Sequence, residues 1–422
     1  MSAFDAKRLF TGMFEAAVAA ADPERIMRDV LPARPKGQTV VIGAGKGSAQ
    51  MARAFERAWD GPLSGLVVTR YGYATPCERI EVLEAAHPVP DAAGLAGAAR
   101  LFETVRGLGE DDLVVALISG GGSALLPCPA GELTLEDEIA VNRALLASGA
   151  PISAMNTVRK HVSAIKGGRL AAAAFPAKVV SLIVSDIPGD QPSLVSSGPT
   201  VPDASTRADA LAIVEAYRMD LPGAVVRHLN TPAADAPLPD DPRFARNEVR
   251  VIASAARSLE AAAEVARRAG LEAVILSDAM EGEAREVAKV HAAIAREVAT
   301  RDRPFHKPVA ILSGGETTVT LRGKGGRGGR NGEFLLSLAL GIDGIDGVHA
   351  FAADTDGIDG SEQNAGAFAD STSVARLRAR GLDAKALLNA NDSWGAFDAL
   401  GDLFQPGPTG TNVNDLRVAL VR

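Results

Sequence analysis

The chain's strongest constraint is a strand that runs straight into bare backbone. Leu113-Val114-Val115-Ala116-Leu117-Ile118 is a continuous apolar run, the pattern of a strand buried on both faces. Ser119-Gly120-Gly121-Gly122-Ser123 follows at once. Three residues without Cβ atoms let the chain turn sharply and bring its N–H groups close to an anion. The same arrangement occurs where Val40-Val41-Ile42 meets Gly43-Ala44-Gly45-Lys46-Gly47-Ser48, and where Val309-Ala310-Ile311-Leu312 meets Ser313-Gly314-Gly315-Glu316. Three such junctions predict an α/β protein that binds phosphate or carboxylate groups at the carboxyl ends of its strands.

The first junction opens a β-loop-α-β unit. A helix through Met51, Ala54, Phe55 and Trp59 follows the loop, and a second strand covers Leu66–Thr69. A dinucleotide fingerprint fits poorly. Ser48 stands at the third glycine position, and Thr69-Arg70 stands where an acid would hold a ribose. Walker A spacing is absent as well, while Lys46 within the loop favours a phosphate or a carboxylate.

Upstream, residues 4–20 carry Phe4, Leu9, Phe10, Met13, Phe14 and Val18 near helical spacing. His87-Pro88-Val89-Pro90-Asp91 reads as a turn, and Glu132–Ser148 as a helix capped by Thr134 with Asp137 at the capping-box offset. Asn156, Arg159, Lys160 and Ser163 then share one helical face, with Val158, Val162 and Ile165 left for the core. A basic face in an acidic chain is a candidate anion site. The strand Val179–Val184 ends in Ser185-Asp186-Ile187-Pro188-Gly189-Asp190, whose acids can take a proton, bind Mg²⁺ or cap a turn. Ser196-Ser197-Gly198-Pro199-Thr200 is a further tight turn.

Residues 231–243, rich in proline and aspartate, read as a linker or a long surface loop, with domains expected at 1–236 and 247–422. The second domain begins with a strand at Val249–Ile252. It continues with helices over Ser254–Gly270 and Gly282–Ala299, a strand at Ala273–Leu276, and a hairpin at Thr317–Leu321. In the glycine-rich run from Arg322 to Glu333, Arg327 and Arg330 are presented at little steric cost, and the helix over Phe334–Leu340 adds the N–H groups of its N-terminus. The strand Val348–Ala352 ends in Asp354-Thr355-Asp356-Gly357-Ile358-Asp359. EF-hand spacing is missing there, and a one- or two-carboxylate Mg²⁺ site carrying a nucleotide fits better. Gly407–Asp415 is a small polar loop suited to lining a cleft.

Composition excludes several classes. The net charge of −8 and the lack of a lysine-rich face argue against nucleic acid, and no run of 18 apolar residues exists for a membrane span. Two cysteines, Cys77 and Cys128, make no disulfide framework, and the six histidines have no metal-ligand spacing. The N-terminal stretch is broken by Glu15 and followed by Asp22-Pro23, so no signal peptide is expected and the protein is expected in the cytoplasm.

The stretches Gly43–Ser48, Ser119–Ser123, Asn156–Gly168, Ser185–Asp190, Ser313–Glu316, Arg327–Glu333, Asp354–Gly360 and Thr409–Asp415, in this order, resemble the glycerate 2-kinase family, whose C-terminal half is the MOFRL domain. The resemblance covers essentially the whole chain. Gly332 stands where the family pattern leads one to expect Gln. It implies a Rossmann-like α/β/α N-terminal domain, a second α/β (MOFRL) domain and an active-site cleft between them. It also implies transfer of a phosphoryl group from ATP to the 2-hydroxyl of D-glycerate, with Lys46 and Arg327 as catalytic cations and Arg330 as a further phosphate contact.

On that reading Ser119, Gly120, Gly121, Gly122, Ser123, Asn156, Arg159 and Lys160 hold the substrate, and Asp186 or Asp190 is the base. Gly43, Gly45, Gly314, Gly315, Glu316, Asn331 and Glu333 contact the nucleotide, and Asp354 and Asp356 place Mg²⁺. The partners are small molecules rather than nucleic acid or membrane, with a homodimer left open. Family members also carry the label hydroxypyruvate reductase, so an NAD(P)H-dependent reductase is the first alternative, and a non-catalytic sugar-acid sensor the second.

Overall fold

The computed structural model describes residues 5–321 and 326–422. Phe4 and the first residues of the glycine-rich run, Arg322–Gly325, lie outside the described residues. The chain divides into two compact units, Pro23–Ile252 and a unit built from Met1–Asp22 together with Ala253–Arg422.

The Pro23–Ile252 unit is organised on a six-stranded sheet. Its strands are β1 (Thr39–Ala44), β2 (Ser64–Arg70), β3 (Ile80–Ala85), β4 (Leu113–Ile118), β5 (Lys178–Val184) and β6 (Glu248–Ala253). They lie side by side in the order β3-β2-β1-β4-β5-β6, the doubly wound order of dinucleotide-binding folds. Neighbours from β3 to β5 run parallel. β1 and β4 are buried at every residue, as parallel strands covered on both faces must be. The order reverses between β1 and β4, so the loops after these strands emerge together at the switch point, where such sheets bind ligands.

Their packing explains the glycines. Gly45 has φ +139°, and a Cβ there would lie 2.2 Å from Ser119 Oγ and 2.4 Å from the Ser119 carbonyl oxygen. Gly43 belongs to β1 rather than to the loop, and its missing Cβ makes room for the Leu117 carbonyl of β4.

The other unit carries a mixed sheet. Its strands are β7 (Glu272–Ser277), β9 (Val309–Ser313), β11 (Val348–Asp354), β12 (Gly366–Asp370), β13 (Leu403–Phe404) and β14 (Asp415–Val421), ordered β13-β12-β11-β14-β9-β7. Only β7 and β9 pair in parallel. Val309 and Ile311 face one core, while Ala310 and Leu312 face another, the two-residue period of a strand covered on both sides. A short parallel pair joins β8 (Gly282–Glu283) to β10 (Thr317–Thr318), in place of the expected hairpin at Thr317–Leu321.

The units differ from the sequence-based boundaries of 1–236 and 247–422 at two places. The helix Ala6–Ala19 turns Phe10, Met13, Phe14 and Ala17 onto Leu259, Ala262, Ala263 and Ala266 of the helix Ala255–Arg268. Burying each large side chain contributes about 2 kcal/mol, which fixes the helix to the second sheet's layer. Glu248–Ala253 instead closes the edge of the first sheet, beside β5, where Lys178 pairs with Glu248 and Asn247 Oδ1 accepts the Val179 N–H at 2.9 Å.

Gly45→Ala combines a positive φ with a backbone clash and is expected to cost about 2–4 kcal/mol. The drop in urea midpoint for this variant measures it, and a midpoint equal to wild type would refute the packing account.

Candidate active site

The switch point of the first sheet carries a cavity of about 220 Å³, lined among others by His87, Gly121, Ser123, Asn142, Asn156, Arg159, Asp186 and Ser196. The triple-glycine loop reaches it in two ways. Gly121, with φ +83°, and Ser123 line the cavity, while Ser119, Gly120 and Gly122 hold the loop in place. Ser119 Oγ accepts the Gly47 N–H at 2.9 Å, and Gly122 donates to Ser196 Oγ at 3.0 Å. Ser196 Oγ donates to the Ser119 carbonyl at 2.6 Å, so one hydroxyl braces both ends of the loop. Ser196 and Ser197 both adopt positive φ, 53° and 59°, a conformation that costs a non-glycine residue about 1 kcal/mol or more and concentrates at functional sites.

Asn156 and Arg159 lie on the helix Ile152–His161 and line the cavity as expected. Arg159 donates from Nε to Asn142 Oδ1 at 2.9 Å and from a terminal nitrogen to Asn156 Oδ1 at 3.2 Å. Burial pulls its pKa below the usual arginine value, yet no carboxylate among the described residues forms an ion pair with it. Lys160 departs from the expectation. It is fully buried, its ammonium pairs with Asp203, and burial lowers its pKa to about 8, so it does not line the cavity. The helical face therefore splits: two residues reach the cavity and the third is part of the core.

The two candidate bases separate as well. Asp186 lines the cavity and packs directly on Gly120, where a Cβ would fall 1.7 Å from its carboxylate oxygen. Asp190 sits four residues on in a tight turn with φ 50° and is not among the lining residues.

Lys46 follows β1, and its Cγ lies 3.1 Å from where a Gly121 Cβ would be. It forms no ion pair among the described residues. Its own N–H donates to the Gly120 carbonyl at 2.8 Å, Gly45 donates to Val68 O at 3.1 Å, and Ser48 to Gly45 O at 3.2 Å. The Gly43–Ser48 loop thus spends these backbone donors on its neighbours. Gly43 and Gly45 serve packing rather than forming the open nucleotide cradle expected of them.

His87, read from sequence only as part of a turn, lines the cavity beside Gly121. Burial, with Lys46 and Arg70 nearby, pushes its pKa down to about 4, so it is neutral at pH 7. Asn142, Ser196 and Ser197 were likewise not singled out as site residues. β3 holds the missed signal for His87, since it ends at Ala85 and places the histidine at a strand's carboxyl end.

The second unit presents a cavity of about 300 Å³ lined among others by Thr317, Val319, Leu321, Gly328, Arg330, Glu333, Asp354 and Asn391. Arg330 was expected to contact phosphate, but it is committed to three carboxylates: Glu316 at 2.9 Å, Asp354 at 2.7 Å and Asp415 at 2.9 Å. Burial works against its charge, and the three acids more than offset that. Arg417, fully buried, pairs with Asp415 and donates to the Gly314 carbonyl at 3.1 Å and to Gly315 O at 3.4 Å. These glycines therefore offer carbonyls to a buried arginine. Asn331 Nδ2 donates to Asp415 at 2.8 Å, and Glu333 accepts from Arg285 and, at 2.9 Å, from Asn391.

At the start of the helix Arg330–Gly341 two N–H groups are already taken. Asp359 accepts from Asn331 N at 2.9 Å and Gly332 N at 2.8 Å, acting as its cap. Arg327, by contrast, is exposed, with its guanidinium 3.7 Å from the Trp394 ring centroid.

Asp354 and Asp356 do not fit a ready Mg²⁺ site. One Asp354 oxygen takes Arg330 and the other the Asp356 N–H at 3.0 Å, while Asp356 Oδ1 accepts from Ile358 N at 2.8 Å. No group of three His, Cys, Asp or Glu side chains among the described residues is arranged to hold a metal ion.

Residues 9–230 match the family described as a domain of unknown function (DUF4147), and residues 309–415 match the MOFRL family. A relative from Agrobacterium vitis, provisionally named hydroxypyruvate reductase, is 54% identical over 99% of this chain and 94% of its own. D-glycerate 2-kinase of Thermotoga maritima is 39% identical over 98% of both chains. A crystal structure of glycerate kinase from Thermotoga maritima superposes with a TM-score of 0.89 at 38% identity, covering 99% of each chain. An α/β protein of two units with DUF4147 and MOFRL regions is the class these features define. The chain belongs to the glycerate 2-kinase family. Among the described residues no helix is long and apolar enough to cross a membrane.

Asp359 supplies a test of the cluster's electrostatics. Burial pushes its pKa up to about 6, above the value of about 3.9 in an unfolded chain. The folded state then binds this proton more tightly, so the group's contribution to stability is present below about pH 4 and is lost as pH rises through about 6. Asp359→Asn is expected to flatten the dependence of the urea midpoint on pH across that window. An unchanged slope would show that Asp359 is not the titrating group.

Proposed function

We propose that this protein is an ATP-dependent glycerate 2-kinase, transferring the γ-phosphoryl group of ATP to the 2-hydroxyl of D-glycerate to give 2-phosphoglycerate and ADP. The observation that carries this is the match to D-glycerate 2-kinase of Thermotoga maritima along both chains in full. The cavity of the Pro23–Ile252 unit supports it chemically. Arg159 offers a cation whose side-chain hydrogen bonds go to amides rather than to a carboxylate, the chemistry that recognises an acid. Asn156 and Ser123 add hydrogen-bonding groups. Asp186 is the base in this reading, accepting the hydroxyl proton as the oxygen attacks phosphorus. It is favoured over Asp190 by its place in the cavity wall.

Lys46 and Arg327 are the cations proposed to spread charge on the transferring phosphoryl group. Both stand on glycine-rich loops, and neither forms an ion pair among the described residues. The nucleotide is assigned to the 300 Å³ cavity of the other unit, where Val319 and Leu321 offer apolar contact and Asn391 a polar one. Mg²⁺ belongs to the proposal as the counter-ion of the ATP phosphates, and no residue here is assigned to it.

The reductase reading draws on the Agrobacterium vitis name. Against it stand Arg70 at the end of β2, where an acid would hold the ribose of NAD, and the internal use of the Gly45, Lys46 and Ser48 donors.

Purified protein is to be assayed with D-glycerate, Mg²⁺ and ATP, coupled to enolase, which consumes 2-phosphoglycerate directly. Turnover is expected, with kcat lower by about a hundred- to a thousandfold in Lys46→Ala. No turnover, together with NADH oxidation by hydroxypyruvate, would replace the kinase with the reductase.

A further inference from the structure

Cations drawn wholly or partly into the Pro23–Ile252 unit are treated in two ways. Lys166 pairs with Glu138 at 2.6 Å, and Lys160 pairs with Asp203, so each charge is neutralised inside the fold. Arg159 makes its side-chain hydrogen bonds to neutral amides and no ion pair among the described residues; Glu138, already held by Lys166, acts on it only through the field. Asn142 Oδ1 accepts from its Nε at 2.9 Å, and Asn156 Oδ1 accepts from a terminal nitrogen at 3.2 Å.

Both amides are themselves pinned. Asn142 lies on the helix Leu135–Ala147, and its Nδ2 donates to the Glu138 carbonyl at 3.1 Å, which turns its oxygen toward Arg159. Asn156 Nδ2 donates to Leu194 O at 3.0 Å, and its oxygen also accepts from Ser197 Oγ at 2.9 Å. Ser197 in turn meets Ser123 of the triple-glycine loop at 2.7 Å. A guanidinium has five N–H donors, so two are spent on orientation and three remain, enough for a bidentate carboxylate. Neutral acceptors orient the fork without cancelling its charge.

We infer that Asn142 is a positioning residue that aims the Arg159 guanidinium into the cavity to receive the carboxylate of the substrate. The inference rests on the kinase reading above and adds to it a residue on a separate helix. An aspartate at 142 would keep the geometry but supply a charged partner, turning Arg159 into an internal ion pair of the kind Lys166 makes. An alanine would release the fork.

The test is steady-state kinetics of the full-length protein with D-glycerate and ATP for wild type, Asn142→Asp and Asn142→Ala. Thermal midpoints are recorded alongside. Both variants are expected to raise KM for glycerate by about tenfold or more, the size of one charge-assisted hydrogen bond, with Asn142→Asp the larger. KM for ATP and kcat at saturating glycerate stay within about threefold, as for loss of an interaction made equally in ground and transition states. A merely structural role would instead lower kcat and the thermal midpoint together. If wild type is active and Asn142→Asp keeps the wild-type KM for glycerate, the inference is overturned while the kinase reading stands. Should Asn142→Asp fail to fold, an unchanged glycerate KM in Asn142→Ala overturns it equally. A wild type inert toward glycerate overturns the kinase reading and the inference with it.

Discussion

The close approach of two glycine loops at the β1/β4 switch point is the constraint on which the candidate site depends. Parallel pairing of β1 with β4 brings residues 45–48 and 119–123 out of the sheet at the same end of the strands. They interlock because Gly45 lacks the Cβ that would strike Ser119; Gly120 likewise lacks the one that would strike Asp186 of the loop after β5. Lys46 N and Gly47 N are spent on the Gly120 carbonyl and Ser119 Oγ across that contact, while Gly45 N is taken by Val68 of β2. The cavity beside them is walled by side chains that include Asp186 and Ser123, with the amide-held Arg159 on a neighbouring helix.

Charge is distributed differently in the two units. In the MOFRL-containing unit, Arg330 joins Glu316, Asp354 and Asp415, and Arg417 also pairs with Asp415. Burial and the neighbouring Asp415 push Asp354 well above the usual carboxylate range, so the arginines chiefly offset acid crowding. Buried pairs of this kind add little net stability but are costly to break from one side. In the Pro23–Ile252 unit Arg159 hydrogen-bonds to amides and feels Glu138 only from beyond ion-pair distance, and a cation so held beside a cavity suits an anionic substrate. The contrast explains why two arginines that look alike in sequence carry different assignments.

The glycine-rich junctions, the buried strands and the order of the motifs were readable from residues alone, because each is a local pattern: apolar runs, bare backbone and acids at strand ends. Asp186 and Asp190 could not be separated that way. They are four residues apart in one turn, and it is the fold that puts Asp186 in the cavity wall against Gly120 and Asp190 outside it. Lys160 and Arg159 are adjacent and both basic, yet one finds Asp203 in the core and the other faces the cavity. The helix Ala6–Ala19 carries an apolar face that any layer would cover, and its partner, the alanine face of Ala255–Arg268, lies more than two hundred residues away.

Sequence by itself determined that this chain is an α/β protein with strand-end glycine loops, and its motif order marked the family. Those features depend on neighbouring residues and on helical and strand periods. Tertiary structure alone decided which polar residues share a cavity and which neutralise one another. Partners such as Asn142 and Arg159, Ser123 and Ser197, or Arg330 and Asp415 are brought together only by the strand order and the helices laid on it. Whether a charge is free to meet a ligand depends on those long-range partners, which no local pattern records.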